Sequence, residues 1–262
     1  MTRLALALAA LAVSACATLP SAPPAAVADL APTGKLRAVI NYGNPILANK
    51  GADGLPFGVS VDLARELAKR LGVEAELVTV TSAGQSVEVL AQGKVDVGFF
   101  ALDPARAATT AFSAAYVQIE GAYLVRSESP LKANEEVDRD GIRVAVGNRS
   151  AYDLYLARNL KKAKIERAPT SPAVVDYFVA NQLDVAAGVK QQLEADAKRL
   201  PGLRLLPGRF MVINQAMGMA RGKEAGAKYL AAFVEDMKAS GFVAKALERH
   251  RIEGAIVAPP AP

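Results

Sequence analysis

The fold is decided by "GVSVDLARELAKRLGVEAELVTV", residues 58–80. Its first part places Val61, Leu63, Ala64, Leu67, Ala68 and Leu71 on one side of a 3.6-residue period, and Gly72 stands where a helix stops. Its last part, "AELVTV", has the β-branched, apolar character of a strand. A helix running directly into a strand predicts an α/β unit, and the flanking sequence extends it. Upstream, "KLRAVINY" (35–42) is a strand closed by the turn cluster Gly43-Asn44-Pro45. Downstream, "GQSVEVLAQG" reads as a helix and "KVDVGFF" as a strand. The β-α-β-α-β order implies parallel strands joined by right-handed crossovers.

The pattern then restarts. "IRVAVG", "AKIERA" and "LDVAAG" are strands, and "SAYDLYLARNL", "SPAVVDYFVANQ" and "VKQQLEADAKRL" are helices. Between the two units, "VQIEGAYLVR" is long and extended enough to cross from one to the other. "FMVINQAMGMAR" (210–221) is placed to cross back, and two helices follow, at about 223–239 and 242–251. Open parallel sheets bind ligands beyond the carboxyl ends of their strands. Two such sheets facing each other predict a clamshell with a cleft between two lobes.

Composition agrees with a globular body. The chain has 262 residues, 52% hydrophobic and 22% charged, with no Trp and a net charge of +5. The basic residues are scattered and not interleaved with aromatics, which argues against nucleic acid as a partner. The ends read differently. Residues 1–16 have a short positive start and an apolar run, Leu4 to Val13, too short to span a bilayer and suited to a signal peptide. They end in Val13-Ser14-Ala15-Cys16, which resembles the bacterial lipobox, with Cys16 the residue that carries lipid. Cys16 is the single cysteine, so an intrachain disulfide is ruled out. The Ala/Pro-rich residues 17–33 read as an extended tether and residues 255–262 as a loose tail.

"GKLRAVIN", "GLPFGVSVDLARELAKRLG", "LAQGKVDVGFF", "PAR", "FSAAY", "VDRDGIRVAVGNRSAYDLYL" and "LDVAAG" occur in that order over about residues 34–254. Together they resemble the family 3 extracellular solute-binding proteins, the amino-acid-binding subunits of ABC importers. The resemblance implies a two-lobed type II periplasmic-binding-protein fold, each lobe a mainly parallel sheet flanked by helices, with two crossover strands as hinge. Lobe 1 would be 34–123 with 215–254, and lobe 2 would be 124–214. It implies a monomer on the periplasmic face of the cell envelope, lipid-anchored to a bacterial membrane. Such a protein passes a small anionic or zwitterionic solute to an ABC permease, and neither cofactor nor metal is expected.

In that family an arginine shortly after the third strand holds the ligand's carboxylate, and Arg106 matches it. A guanidinium offers parallel N–H donors to the two carboxylate oxygens. The family's usual hydroxyl residues before that arginine are replaced here by "FFALD". Phe99, Phe100 and Ala101 are therefore expected to offer stacking and backbone contacts, with strand alternation turning only one phenylalanine to the cleft. The second lobe supplies Ser150, Ala151 and Tyr152 at a helix start, where free amides favour an anion. Arg149 stands where the family has glycine. Asn41, Tyr42 and Asn44 form the remaining wall of the first lobe, with Ser82 and Ala83 as lesser candidates.

The acidic residue that commonly meets a ligand ammonium is missing, since its place holds Gly188-Val189-Lys190. Asp103, Glu120 or Asp153 would have to serve instead. The same three are the acids available to the enzymatic alternative, a cyclohexadienyl-dehydratase-like protein on this fold. His250 is the single histidine and lies near the chain end, so no nucleophile–base pair is available and the expectation is a non-enzyme. A ligand-sensing lipoprotein without transport is the third reading.

Overall fold

The computed structural model describes residues 21–262. The expected signal peptide and Cys16 lie outside the described residues. Helix α1 (Pro24–Leu30) precedes strand β1 (Lys35–Asn41), a small hairpin of β2 (Asn49–Lys50) and β3 (Pro56–Phe57), helix α2 (Val59–Leu71) and β4 (Glu74–Val80). Then come α3 (Ala83–Ala91), β5 (Val97–Ala101), a single turn α4 (Pro104–Ala107) and the long β6 (Thr110–Arg126). The second unit contains β7 (Arg143–Gly147), α5 (Ala151–Asn159), β8 (Lys164–Ala168), α6 (Val174–Ala180), β9 (Val185–Val189) and α7 (Lys190–Arg199). The chain finishes with β10 (Leu203–Leu205), β11 (Met211–Ala220), α8 (Glu224–Ala239), α9 (Phe242–Arg249) and β12 (Ile256–Val257).

The sheet runs β4-β1-β5-β11-β6-β9-β7-β8. β1 lies between β4 and β5, and β7 lies between β8 and β9, all parallel to their neighbours within each trio. The extended crossing segments, β6 and β11, pair antiparallel with each other and join the two trios into one sheet. The expected mixed α/β architecture is therefore present, with both crossings at its centre. All six apolar residues read on α2 are at most 6% exposed. Removing each large one from water contributes about 1.5–3 kcal/mol. Gly72 closes α2 with φ 70° and donates its N–H to the Ala68 and Lys69 carbonyls.

The repetition extends to side chains. Asp96, just before β5, accepts the backbone N–H of Arg37 in β1 at 3.0 Å and also its guanidinium. Asp184, just before β9, accepts the backbone N–H of Arg143 in β7 at 2.8 Å and pairs with its guanidinium at 3.6 Å. Each aspartate ties the start of a third strand to the start of a first strand. Both aspartates serve the sheet itself.

Two segments depart from the sequence reading. Residues 24–30, expected within an extended tether, form α1, which packs on α8. Pro24 suits the first helical turn, Ala26 and Leu30 are buried, and Asp29 accepts the Gly226 N–H at 2.9 Å. The tail of 255–262 is not loose at its start, because β12 pairs with β6 and the Ala258 N–H reaches the Tyr116 carbonyl at 3.1 Å. Alanine and proline content gave both segments the look of linkers. Their few apolar side chains find matching gaps only in the folded body.

Candidate functional site

The carboxyl ends of β1, β5 and β9 and the start of α5 border a cavity of about 50 Å³. β5 ends in Phe99, Phe100 and Ala101, and Asp103 then caps the α4 turn by accepting the Ala105 N–H at 2.9 Å. Pro104 starts that turn and brings Arg106 back beneath the strand end. Arg106 is 5% exposed. Its guanidinium donates to the Ala101 carbonyl at 3.1 Å and, across to the second half of the sheet, to the Arg149 carbonyl at 2.9 Å. Among the described residues no carboxylate lies within 4.0 Å of it.

Burial pushes the Arg106 guanidinium down to about 10, with Asp103 opposing the fall and Arg149 adding to it. It remains a cation at neutral pH. A buried cation without an acidic partner makes the cavity receptive to an anion.

The second wall is the start of α5. Ser150 caps it, accepting the Asp153 N–H at 3.0 Å, so the hydroxyl is engaged in the helix itself. The amides of Ala151 and Tyr152 are the first two of the helix and lack intrahelical acceptors. Ser150, Ala151 and Tyr152 all line the cavity. Burial pushes the Tyr152 hydroxyl up to about 12, so it stays a neutral hydrogen-bonding group.

Arg149 explains why glycine suits its position. Its φ is 58°, in the left-handed region that disfavours side chains. Three contacts hold it there: its N–H donates to Asp153 at 2.8 Å, its carbonyl receives Arg106, and its guanidinium pairs with Glu88 of α3. A second ion pair between the two halves joins Arg158 of α5 to Asp103 at 2.7 Å.

The other expected residues divide. Asn41 and Asn44 line the cavity, and the Asn44 Oδ1 is buried without a hydrogen-bond partner. Phe99 and Phe100 both border it, although alternation sends the rings to different clusters. Phe99 packs edge-on against Tyr116, and Phe100 packs against Phe112. Three expected residues do not line the cavity. Tyr42 packs against the main core, Ser82 caps α3, and Asp103 is held by its cap and by Arg158. Ala83, beside Ser82, takes the place at the wall.

Neither of the other two acids considered for a ligand ammonium lines the cavity. Glu120 pairs with Lys190 and Arg209, whose hydrogen bonds hold its carboxyl below the ordinary range. Asp153 is bound by Arg149 and Arg167. Sequence reading missed Gly43, Leu47, Ser60, Ser171, Ile213 and Gln215, which complete the lining together with Val189. Ser60 sits in the first turn of α2, where a strand-to-helix corner could have drawn notice. Gln215 on the crossing β11 carries no local signal. Among the described residues no group of three or more His, Cys, Asp or Glu side chains is arranged to hold a metal.

No curated protein sequence matches the chain. Solved structures do match in fold. A mutant of ArgBP from T. maritima superposes with a TM-score of 0.74 at 22% identity, covering 87% of this chain and 100% of that one. The solute receptor for L-cysteine of Neisseria gonorrhoeae gives 0.75 at 21% identity, covering 87% and 94%. An ancestral amino-acid-binding protein described as a precursor of cyclohexadienyl dehydratase gives 0.71 at 22% identity, covering 85% and 98%. The family model for bacterial extracellular solute-binding proteins, family 3, matches residues 36–252. With that match spanning most of the chain, the protein belongs to the family 3 bacterial extracellular solute-binding proteins.

Proposed function

We propose that this protein captures a small carboxylate-bearing solute and delivers it to an ABC permease. The observation that carries the reading is Arg106, a buried guanidinium without an acidic partner, facing a cavity opposite the free amides of α5. The two act from different halves of the sheet on one carboxylate. Only a closed arrangement satisfies the anion from both sides, so binding favours closure. In this reading residues 34–123 with 215–254 form lobe 1, residues 124–214 form lobe 2, and the paired β6 and β11 form the hinge. The ion pairs Arg158–Asp103 and Arg149–Glu88 then cross between the lobes and hold the closed form.

Cys16 is the lipid-bearing residue in this reading and keeps the protein on the periplasmic face of the envelope. No helix of the described residues is long and apolar enough to cross a membrane. Mass spectrometry of the membrane fraction, with Cys16→Ser as control, tests the anchor. The dehydratase alternative needs a carboxylic acid in the cleft, and the cavity lining among the described residues contains none. A thermal-shift screen against amino acids, oxo acids, hydroxy acids and aromatic acids tests the binding reading. A stabilising hit that disappears in Arg106→Ala supports the site. Retention of the hit in that variant refutes it, and turnover of prephenate or arogenate refutes the non-enzyme assignment.

A further inference from the structure

The cavity holds one formal charge. Arg106 is the sole ionisable lining residue other than Tyr152, which burial keeps neutral, and no carboxylate faces it among the described residues. Residues 1–20 contain neither Asp nor Glu, and Asp29, the one acid of residues 17–33, accepts the Gly226 N–H away from the cavity. A bound carboxylate cancels the guanidinium. A zwitterionic amino acid would add an ammonium and leave one uncompensated positive charge in a closed site, which is costly in a poorly solvated environment.

The nearby acids are already committed. Asp103, Glu120 and Asp153 each hold arginine or lysine and do not line the cavity. An adjoining pocket shares Asn44, Tyr152 and Val189 with the cavity and contains Asp196. Both Asp196 oxygens are engaged, one by Arg199 at 2.9 Å and the other by Gln192 at 3.1 Å. What the cavity does offer besides Arg106 is neutral. The unpartnered Asn44 Oδ1 is an acceptor placed for a hydroxyl, and the Ser60, Ser171 and Gln215 side chains are uncharged.

Resting on the carboxylate reading above, we propose that the solute is a monocarboxylate without an ammonium group, of the 2-hydroxy-acid or 2-oxo-acid class. Its carboxylate lies between Arg106 and the α5 amides, and its neutral oxygen faces Asn44, a hydroxyl donating to Oδ1 and an oxo group accepting from Nδ2. The volume of about 50 Å³ holds a few water molecules, which a bound solute would displace.

The test is calorimetric titration of the protein with matched sets that differ only at the second carbon. One set is alanine, lactate, pyruvate and propionate, and the other is leucine with its 2-hydroxy and 2-oxo counterparts. The hydroxy or oxo acid is expected to bind about 100-fold or more tightly than the amino acid of its set. Asn44→Ala should cost the hydroxy acid about 10-fold while leaving propionate nearly unchanged. Val189→Asp places a carboxylate at the cavity wall, at the N-cap of α7, where aspartate suits the helix. Once circular dichroism shows that variant folded, it should gain amino-acid binding at the expense of the hydroxy acid.

An amino acid that binds the native protein as tightly as its matched hydroxy and oxo acids overturns this inference and leaves the carboxylate site standing. Lysine or arginine binding that is lost in Asp196→Asn also overturns it. If no member of either set binds, or if binding survives Arg106→Gln, the carboxylate site itself fails and the inference fails with it.

Discussion

Replacing Arg106 with glutamine is the sharpest perturbation of the site. The guanidinium has five N–H donors, of which the structure uses two, on the Ala101 and Arg149 carbonyls. Three remain, enough to engage both oxygens of a carboxylate. Charge-assisted bonds in such a setting contribute about 1.5–3 kcal/mol each, so losing two costs about 3–6 kcal/mol of binding. That corresponds to about 10²–10⁴-fold in affinity. Arg106→Lys keeps the charge but loses the fork, and about 10–100-fold is expected. In the ligand-free protein two effects oppose each other. The variant leaves two carbonyls short of donors, yet it removes a cation whose burial is unfavourable. The melting temperature of the free protein should therefore move by only a few degrees, while the ligand-induced rise disappears. The assay is calorimetry on folded variants, paired with thermal unfolding with and without solute. A Kd for Arg106→Gln within threefold of the native value, with the fold intact, would refute the reasoning.

Asp153→Ala should lower stability by about 2–4 kcal/mol, because one buried carboxylate accepts the Arg149 N–H and pairs with Arg167. Arg167 is half exposed, so solvent screening limits the loss, and chemical denaturation measures it. Gly147→Ala would set a Cβ 2.8 Å from the Ser171 Cα, in the loop that borders the cavity. A loss of about 1–3 kcal/mol is expected, with weaker solute binding by titration. Solute affinity should be flat across neutral pH and fall above about pH 10, as Arg106 loses its proton. The stability sign runs the other way. A buried cation with a lowered folded-state pKa binds fewer protons than in the unfolded chain. Its unfavourable contribution is thus full below about pH 10 and is relieved as pH rises toward the ordinary guanidinium range. Denaturation curves across that window separate the two effects.

Local pattern was enough for the order of elements. The period of α2, the stop at Gly72, and the two β-α-β-α-β runs are properties of neighbouring residues, and they appear in the structure as read. Arg106 stands out through the family resemblance, by its place just after a strand's carboxyl end beside Asp103-Pro104, and the structure sets it in the cavity lining. The wall formed by Ser60, Ser171 and Gln215 was not legible. These residues lie on α2, in the loop after β8 and on β11, far apart in sequence, and meet only in the folded body.

Charge pairing was equally hidden. Asp103, Glu120 and Asp153 look free in the sequence, but each meets a cation brought to it by tertiary packing, over separations of up to 89 residues. Composition likewise misjudged α1 and β12, whose few apolar side chains gain nothing until α8 and β6 offer a surface. The sequence by itself determined the main helices and strands of both units, the parallel run within each trio and the place of a cation just after β5. Tertiary structure decided which acids are neutralised and which neutral groups face that cation, because ion pairing and desolvation depend on distance in space and not along the chain.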